Sequence, residues 1–446
     1  MNQSFLEKAK KTSIMTKILF IGILMLILLI PLGMITDLTY ERESRFNDAV
    51  WEVSDKWGSQ QQVIGPILSI PYFTETRDKD GKIQRTEDIA TFLPEKLEVT
   101  GNIIPEVRSR GIFDVVLYKN ALDFKTQFEF PKIADLNLQE NNFLWDQATV
   151  SLGIPDMRGI KEDLSFNWQN QTLNFSPGAD NFKLFSSGIH GKIPNLLTQR
   201  ADSYELNFKI NLNGSQEFEV APIGKETTVA INSNWENPSF IGAFLPSEHD
   251  ISEEGFTSNW EVSYFGRGYP QQWKNLSSGS VRETVVNSMF GVKLLIPIDF
   301  YQKNTRSIKY GILFILLTFT TFFLFEVLNK LKIHPLQYLF VGFSMCVFYL
   351  LLLSLSEHIN FTGAYILSTI GTVSLISGYC MKILKNKARG LIMCLLTSLI
   401  YIYLFILLQL EDYALLIGSL SLFGVLATVM YLTRNIDWYQ VKEERS

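Results

Sequence analysis

The stretch ILFIGILMLILLIPLGMI, residues 18–35, decides the fold of this chain. It contains no charged residue, and a run of about 18 apolar residues is long enough to cross the hydrocarbon core of a bilayer as a helix. Backbone groups in lipid have to satisfy their hydrogen bonds within the segment, so such a run forms a helix. The stretch therefore predicts a membrane-spanning helix near the N-terminus.

Five more apolar runs lie in the last third of the chain. The predicted spans are Tyr310–Phe325, Leu336–Leu355, Phe361–Met381, Gly390–Leu410 and Tyr413–Leu432. Glu326 interrupts the first of them, and continuing that helix to Leu331 would place the carboxylate near the headgroups, where a charge costs less. Six spans are thus predicted, with a long polar region between the first and the second.

Composition excludes some classes of function. The chain of 446 residues has a net charge of −5, and no block of lysine and arginine is large enough to indicate a nucleic-acid partner. All three cysteines (Cys346, Cys380 and Cys394) fall inside apolar runs, so the polar region uses neither disulfides nor thiolates.

The short loops predict the orientation, because lysine and arginine accumulate on the cytoplasmic side of spans. Basic residues stand before the first span, between the second and third, and between the fourth and fifth: Lys8, Lys10, Lys11, Lys17, Lys330, Lys332, Lys382, Lys385, Lys387 and Arg389. The alternate loops, 356–360 and 411–412, carry none. Both termini are therefore predicted to be cytoplasmic.

The first span is predicted to stay as an anchor, since no A-x-A-like cleavage site follows it; the alternative is a cleaved signal peptide.

The polar region begins with a helical pattern and continues with strands. Phe46, Val50, Val53 and Trp57 recur at helical spacing, which predicts a helix that packs one face on the domain and ends at Gly65-Pro66. Further on, the chain alternates apolar and polar residues in several short segments. These predict a hairpin of Leu206–Leu212 and Phe218–Val220 about Asn213-Gly214, a hairpin over Phe166–Phe175 about Asn170-Gln171, and strands at Ile112–Tyr118, Phe128–Phe130 and Thr227–Trp235.

The predicted fold is a membrane α plus β protein. It has an N-terminal transmembrane helix, an antiparallel β-rich periplasmic domain that resembles a sandwich, and a C-terminal bundle of five transmembrane helices. The predicted divisions are a cytoplasmic N-terminus (1–17), the first helix (18–36), a juxtamembrane helix (37–65), the β-rich domain (66–305), the bundle (306–433) and a cytoplasmic tail (434–446).

Six polar residues near the span ends are candidates for function: Glu326, His334, Glu357, His358, Arg434 and Asp437. Glu357 and His358 would form a proton- or cation-sensitive pair, or else lie at headgroup depth and cap a helix. Glu326 and His334 would clasp the second and third spans, or else His334 only marks a helix boundary before Pro335. Arg434 and Asp437 would pair, beside aromatic residues that anchor the last helix or dock a partner.

No motif for catalysis is present: GxSxG, HExxH, GxxxxGK[ST] and CxxC are all absent from the sequence. We therefore predict no catalytic, cofactor or metal site.

Nearly the whole chain resembles the CreD family of bacterial inner-membrane proteins. The resemblance rests on these blocks: Val63–Pro71, Leu93–Glu95 with Gly101–Asn102, Arg110–Ile112, Ser233–Trp235, Pro238–Phe240, Phe244–Pro246, Lys309–Tyr310, Phe325–Glu326, His334–Tyr338, Leu355–His358 and Leu432–Tyr439. It implies an inner-membrane protein linked to cell-envelope integrity, stress response and colicin tolerance, with no established catalytic residue and no cofactor.

Together these considerations predict a non-enzymatic protein that binds or senses an envelope component through its periplasmic domain. Its predicted partners are membrane lipids and an unidentified envelope ligand or protein, without nucleic acid. Two alternatives stay open. One is a transporter or lipid-handling protein that uses the C-terminal bundle, and the other is an enzyme acting on envelope polymer.

Overall fold

A computed structural model describes residues 14–77, 83–178, 184–274, 280–295, 300–328, 333–383, 387–410 and 413–434. The chain divides into two compact units. A β-rich unit comprises Phe46–Pro297, and a helical unit comprises Met1–Arg45 with Ile298–Ser446. One long helix supplies residues to both units, because it runs from Ile14 to Trp57.

The described helices match the predicted apolar runs closely. They are α1 (Ile14–Trp57), α2 (Ser280–Asn287), α3 (Phe300–Leu328), α4 (Pro335–Ser356), α5 (Phe361–Ile383), α6 (Lys387–Gln409) and α7 (Ala414–Thr433). By length and composition α1, α3, α4, α5 and α6 can each cross a membrane, and Leu416–Tyr431 in α7 forms a shorter apolar helix. The predicted N-terminal apolar helix and C-terminal helical bundle are confirmed, while α7 as a sixth span stays a prediction.

Short 3-10 helices and strands make up most of the β-rich unit. The strands are β1 (Gln61–Arg77), β2 (Ile83–Phe92), β3 (Lys96–Arg110), β4 (Phe113–Glu129), β5 (Thr149–Gly153), β6 (Ser165–Trp168), β7 (Gln171–Asn174), β8 (Ser176–Pro177), β9 (Gly188–Lys192), β10 (Ser203–Ser215), β11 (Glu217–Val220), β12 (Glu226–Ser233), β13 (Pro238–Gly242), β14 (Glu248–Ser252), β15 (Gly255–Ser263), β16 (Gln272–Lys274) and β17 (Phe290–Leu294).

These strands form two sheets. The eight-stranded sheet has the order β14-β15-β12-β3-β4-β10-β6-β7. The nine-stranded sheet runs β13-β17-β11-β1-β5-β9-β8, with β2 beside β1 and β16 beside β2. Most neighbours are antiparallel, as predicted, but β1 with β11 and β3 with β12 are parallel pairs.

One hydrophobic core joins the two sheets. It contains Ile67 and Val150 of the nine-stranded sheet together with Phe124 and Leu206 of the eight-stranded sheet. Residues of β3 alternate between exposed and buried, as expected for a sheet with one wet face and one packed face. The predicted sandwich-like, β-rich domain is confirmed by this arrangement.

The predicted hairpin about Asn213-Gly214 is wrong. Both residues lie inside β10, where Asn213 pairs with Lys119 and Gly214 with Tyr118 of β4. A Cβ on Gly214 would lie only 2.3 Å from the Tyr118 hydroxyl, so glycine is required there by close packing and not by a turn. The chain turns at Gln216 instead, at a φ of 59°, and the following β11 pairs with strands of the other sheet.

The second predicted hairpin is confirmed, but its turn lies one residue earlier than the predicted Asn170-Gln171. Strands β6 and β7 pair with Trp168 opposite Gln171, so the two turn residues are Gln169 and Asn170. The strand predicted over Thr227–Trp235 corresponds to β12, and the two predicted between Ile112 and Phe130 are parts of one long strand, β4.

The C-terminal part of α1 packs within the β-rich unit through the predicted stripe. Phe46, Val53 and Trp57 surround a small buried cluster of Val50 with Val115 and Leu117 of β4. The helix ends at Trp57, and Gly65-Pro66 lies within β1. Gly58 follows the helix at a φ of 151°, and a Cβ there would lie 2.6 Å from the Asn213 carbonyl oxygen. The residue after the helix therefore has to be small, because the backbone of β10 lies directly against it.

Candidate functional site

Two buried carboxylates hold α1 against the helical bundle. The first, Glu326 near the end of α3, has a side chain only 4% exposed and forms an ion pair with Lys17 of α1. Its Oε2 atom accepts a hydrogen bond of 3.0 Å from the Tyr338 hydroxyl of α4, and Oε1 accepts one of 3.0 Å from the Ile333 N–H. We call these four residues the Glu326 cluster. The carboxylate joins three helices in one polar contact.

The second carboxylate belongs to Glu357, which follows the last residue of α4 and is 8% exposed. Arg42 of α1 binds it through two N–H groups, Nε to Oε1 at 2.7 Å and Nη2 to Oε2 at 2.9 Å. The Tyr301 hydroxyl of α3 donates to Oε1 at 2.9 Å. These three residues are the Glu357 cluster. Asn304 of α3 adds a neighbouring hydrogen bond of 2.9 Å to the Ser356 hydroxyl.

The two clusters have the same three parts: a glutamate, a cation from α1 and a tyrosine hydroxyl. Lys17 and Arg42 are separated by about 37 Å along α1, and Tyr301 and Glu326 by the same length along α3, at about 1.5 Å per residue. This interval exceeds the ~30 Å hydrocarbon core of a bilayer. Both charged clusters can therefore lie at headgroup depth, on opposite sides of the core.

His334 does not bind Glu326. Its ring Nδ1 accepts the Leu336 N–H at 3.2 Å, and its own N–H donates to the Gln337 side chain at 2.9 Å. This is the capping box of α4, with Pro335 as first helical residue. The clasp between the second and third spans exists, but Tyr338 supplies it and His334 marks the helix boundary.

Glu357 and His358 lie in different environments. The Glu357 side chain is buried in its cluster, whereas His358 is exposed. The His358 backbone N–H bonds the Leu355 carbonyl at 3.0 Å and helps to close the helix end. The structure thus assigns the contacts at this end of α4 to Glu357 and not to a Glu–His pair.

Of the two candidates in the C-terminal tail, Arg434 and Asp437, the structure describes only Arg434. Arg434 caps the end of α7, and its guanidinium lies 4.0 Å from the centre of the Tyr431 ring. Asp437 and the pairing predicted for it lie outside the described residues.

A third polar contact holds α1 within the β-rich unit. The Asp156 carboxylate, 7% exposed, binds Arg158 Nε at 2.9 Å and Nη2 at 3.0 Å, and accepts the Ser59 N–H at 2.9 Å. Arg158 also binds Asp55 of α1 at 2.7 Å. Burial opposes ionisation of the carboxyl, but the hydrogen bonds from Arg158 and Ser59 outweigh it and lower the pKa of Asp156 from 3.8 to about 2.

The partners of these carboxylates were missed by the sequence reasoning. From its position before the first span, Lys17 indicates only the orientation, and the sequence pattern indicates no role for Arg42, Tyr301 or Tyr338. One signal in the sequence could have suggested these contacts. Lys17 and Arg42 stand on the two sides of the first span, and Glu326 and Glu357 stand on the two sides of the third. Asp156 caps the 3-10 helix Met157–Gly159 and in addition anchors α1.

Both clusters hold helices in place by charge pairing, since Lys17 neutralises Glu326 and Arg42 neutralises Glu357. Among the described ranges, no group of three or more histidine, cysteine, aspartate or glutamate side chains could hold a metal ion. The buried carboxylates thus attach α1 in both units, through Glu326 and Glu357 in the helical unit and Asp156 in the β-rich unit.

Comparison with known proteins gives a consistent assignment. The sequence profile of the family described as Inner membrane protein CreD matches residues 13–439. The Inner membrane protein CreD of Escherichia coli (strain K12) is 33% identical over 418 residues, which cover 93% of this chain and 91% of the relative. The chain therefore belongs to the CreD family of inner membrane proteins.

Proposed function

We propose that this inner membrane protein binds or senses an envelope component through its β-rich unit and passes the bound state to its helical bundle through α1. The mechanism is conformational and non-enzymatic. The observation that carries the proposal is that one 44-residue helix supplies both Lys17 and Arg42 to the bundle and Phe46, Val50 and Trp57 to the β-rich unit. A change at either end of a continuous helix alters the contacts of the other end.

The proposal includes an orientation. Both termini lie in the cytoplasm, and the β-rich unit lies in the periplasm. Support comes from the basic residues on alternate loops, such as Lys382 and Arg389, and from the lack of any in loop 356–360. Cysteine labelling tests it: a cysteine at the exposed Ser247 should react with an impermeant reagent in intact cells, and one at the exposed Lys387 only after permeabilisation. The reverse result would contradict the orientation.

The coupling itself is testable by hydrogen exchange on the full-length chain in lipid nanodiscs. Arg42→Ala removes the two hydrogen bonds to Glu357, all within the helical unit. We expect faster exchange not only near residue 42 but also in residues 46–57 and in strand β4, because a loosened helix holds its other contacts less firmly.

The neighbouring Arg45 provides the matched control. Among the described residues, Arg45 pairs with Glu41 across an exposed helix turn, with side chains 59% and 54% exposed. Arg45→Ala should leave the exchange of β4 unchanged. If Arg42→Ala altered exchange only within one or two turns of residue 42, the two units would be uncoupled and the proposal would be wrong.

An observation bears on the transporter alternative. A transport path through the later spans would need a polar cavity, whereas the cleft described in the bundle, between α3, α6 and α7, is lined mainly by apolar side chains such as Leu317, Ile400 and Val425. Charged residues that could guide a polar solute do not line that cleft.

A further inference from the structure

An apolar cleft of about 600 Å³ lies inside the helical unit between α3, α6 and α7. Its walls include Leu317 and Phe325 of α3, Leu396 and Ile400 of α6, and Val425 of α7. A volume of this size is typical of sites that hold a small molecule or a lipid tail. The cleft is distinct from the Glu326 and Glu357 clusters, since neither glutamate lines it.

Small residues on α7 create the space. Gly418, Ser421, Gly424 and Thr428 all line the cleft and recur at intervals of three or four residues, which places them on one face of the helix. A Cβ built on Gly424 meets no atom within 4 Å. The cleft is thus open at this position and could accept added side-chain volume without a clash.

The length of the cleft matches one leaflet of a bilayer. Its lining extends from Leu313 to Phe325 on α3, about 18 Å, and from Gly418 to Val429 on α7, about 16 Å, at 1.5 Å per residue. One leaflet contributes half of the ~30 Å hydrocarbon core, or about 15 Å. A lipid tail from one leaflet could therefore fill the cleft along its whole length.

The ends of the cleft can be told apart. Phe314 of α3 and Tyr403 of α6 lie with ring centres 6.1 Å apart, and the Tyr403 hydroxyl lies 3.5 Å from the Ile417 carbonyl oxygen of α7. The middle of α3, the last part of α6 and the start of α7 are therefore together. Phe325, Leu396 and Val429 accordingly mark the opposite end.

Basic residues stand beyond that opposite end. Lys387 and Arg389 are in the first turn of α6, and Arg434 caps α7, with Lys387 and Arg434 exposed. Glu326, the nearby acidic residue on α3, is already paired with Lys17. At the other end, α3 carries Lys309, exposed one turn before Leu313, then Arg306, and then Lys303, whose ammonium lies 5.8 Å from the centre of the Phe361 ring of α5. Lys387, Arg389 and Arg434 give the end marked by Phe325, Leu396 and Val429 the charge that attracts phosphate headgroups.

We propose that the cleft holds one acyl chain of an anionic phospholipid, with its phosphate against Lys387, Arg389 and Arg434. This inference concerns the bundle alone and does not depend on coupling through α1. An apolar tail satisfies the apolar walls, and the phosphate pairs with cations at the headgroup level, so both halves of the lipid meet matching chemistry.

Native mass spectrometry of the full-length protein in detergent tests the proposal. Phosphatidylglycerol is the anionic probe, and phosphatidylethanolamine is the zwitterionic comparison. We expect one retained phosphatidylglycerol per chain, and a tenfold or greater loss of retention in Gly424→Leu, which fills the cleft. Gly378→Leu is the matched control, because a Cβ there also meets nothing within 4 Å but Gly378 of α5 does not line the cleft.

The headgroup contact has its own pair of variants. Arg434→Gln should weaken phosphatidylglycerol binding about fivefold, the equivalent of about 1 kcal/mol for one basic residue at a bilayer surface. Lys309→Gln, at the other end, should leave binding unchanged. Ser421→Leu replaces Gly424→Leu if the latter does not fold, and is expected to have the same effect.

Three outcomes would overturn the proposal. Equal retention of lipid by Gly424→Leu and the wild type would show that the cleft is not the site. Equal binding of both lipids would show only nonspecific annular lipid. A fall in oligomeric mass in Gly424→Leu, with lipid retention unchanged, would identify the cleft as an interface with a second copy of the chain.

Discussion

The Glu326 and Glu357 clusters contain the same kinds of group but hold their carboxylates differently. Lys17 offers Glu326 a point charge, whereas Arg42 offers Glu357 two N–H groups in a planar fork. Glu326 also accepts the Ile333 backbone N–H and lies within α3, while Glu357 lies at the end of α4. The Glu326 cluster therefore mainly neutralises a buried charge, whereas the Glu357 cluster also fixes the orientation of its carboxylate relative to α1.

The largest effect is expected from removing the cation of the more buried carboxylate. Lys17→Met would remove the cation that pairs with Glu326 among the described residues, and should destabilise the protein by about 3–5 kcal/mol, the usual result of breaking one side of a buried ion pair. Thermal unfolding in detergent measures the loss. Adding Glu326→Gln to Lys17→Met should recover much of it, because the uncompensated charge is gone.

Lys56→Met serves as the control for this pair, since Lys56 binds Glu52 on an exposed face, with side chains 71% and 37% exposed. Its effect should stay below about 0.5 kcal/mol. A Lys17→Met protein that unfolds at the wild-type temperature would mean that Glu326 needs no cation.

Exchanging the two kinds of cation sharpens the comparison. Arg42→Lys keeps the charge but loses the fork, so we expect a cost of about 1–3 kcal/mol, the range for hydrogen bonds to a charged group. Lys17→Arg should cost less, because Glu326 receives its other hydrogen bonds from Tyr338 and Ile333. Unfolding temperatures of the two variants compare them directly. Equal losses would argue that the clusters do not differ in kind.

The third attachment of α1 predicts a dependence on pH. The pKa of Asp156 is lower in the folded protein, about 2, than in the unfolded chain, near 3.8. Its stabilising effect is therefore complete above pH 5 and is lost as the pH falls from about 4 towards 2. Because Arg158 is half exposed, we expect only about 1–2 kcal/mol.

Asp156→Asn should thus lower the unfolding temperature of the β-rich unit at pH 6, and the difference from the wild type should shrink below pH 4. Asp123→Asn is a suitable control, because Asp123 forms a surface pair of 3.3 Å with Lys209, whose side chain is 82% exposed. A difference for Asp156→Asn that stays constant from pH 6 to pH 3 would contradict the shifted pKa.

The smallest effect is expected at His358. Its side chain is exposed beside the Glu357 cluster, so His358→Ala should change stability by less than about 0.5 kcal/mol. Glu357→Ala, by contrast, removes the partner of Arg42 and Tyr301 and should reduce both stability and envelope-stress tolerance. Tolerance assays at matched protein levels separate the two. A loss of tolerance in His358→Ala with normal stability would restore the histidine as a functional residue.

Much of the fold was predictable, because the solvent around each segment dictates its pattern. The apolar runs gave helices whose ends fall within a few residues of the structure, except that α3 begins at Phe300, well before the predicted Tyr310. The continuation of α1 to Trp57 was predicted from its apolar stripe. Alternation of residues in β10 and β12 likewise predicted strands with one packed face.

The failures have physical causes that sequence alone does not carry. At Gly214 the glycine makes room for the Tyr118 ring of a neighbouring strand, and a local turn rule cannot anticipate a partner so distant in the chain. The same is true of the site. Glu326 and Glu357 were identified because charges near lipid are rare, but Lys17 and Arg42 lie more than 300 residues away from them in the sequence.

The equal spacing of the clusters restricts how α1 can move. Because Lys17 and Arg42 lie on one helix, with Pro31 between them, and bind partners near the two ends of the bundle, a displacement of α1 along its axis by one turn of about 5.4 Å would separate both ion pairs at once. Tilting about either contact would disturb only the other. A movement of α1 that carries a signal therefore costs less free energy as a tilt than as a displacement along the helix axis.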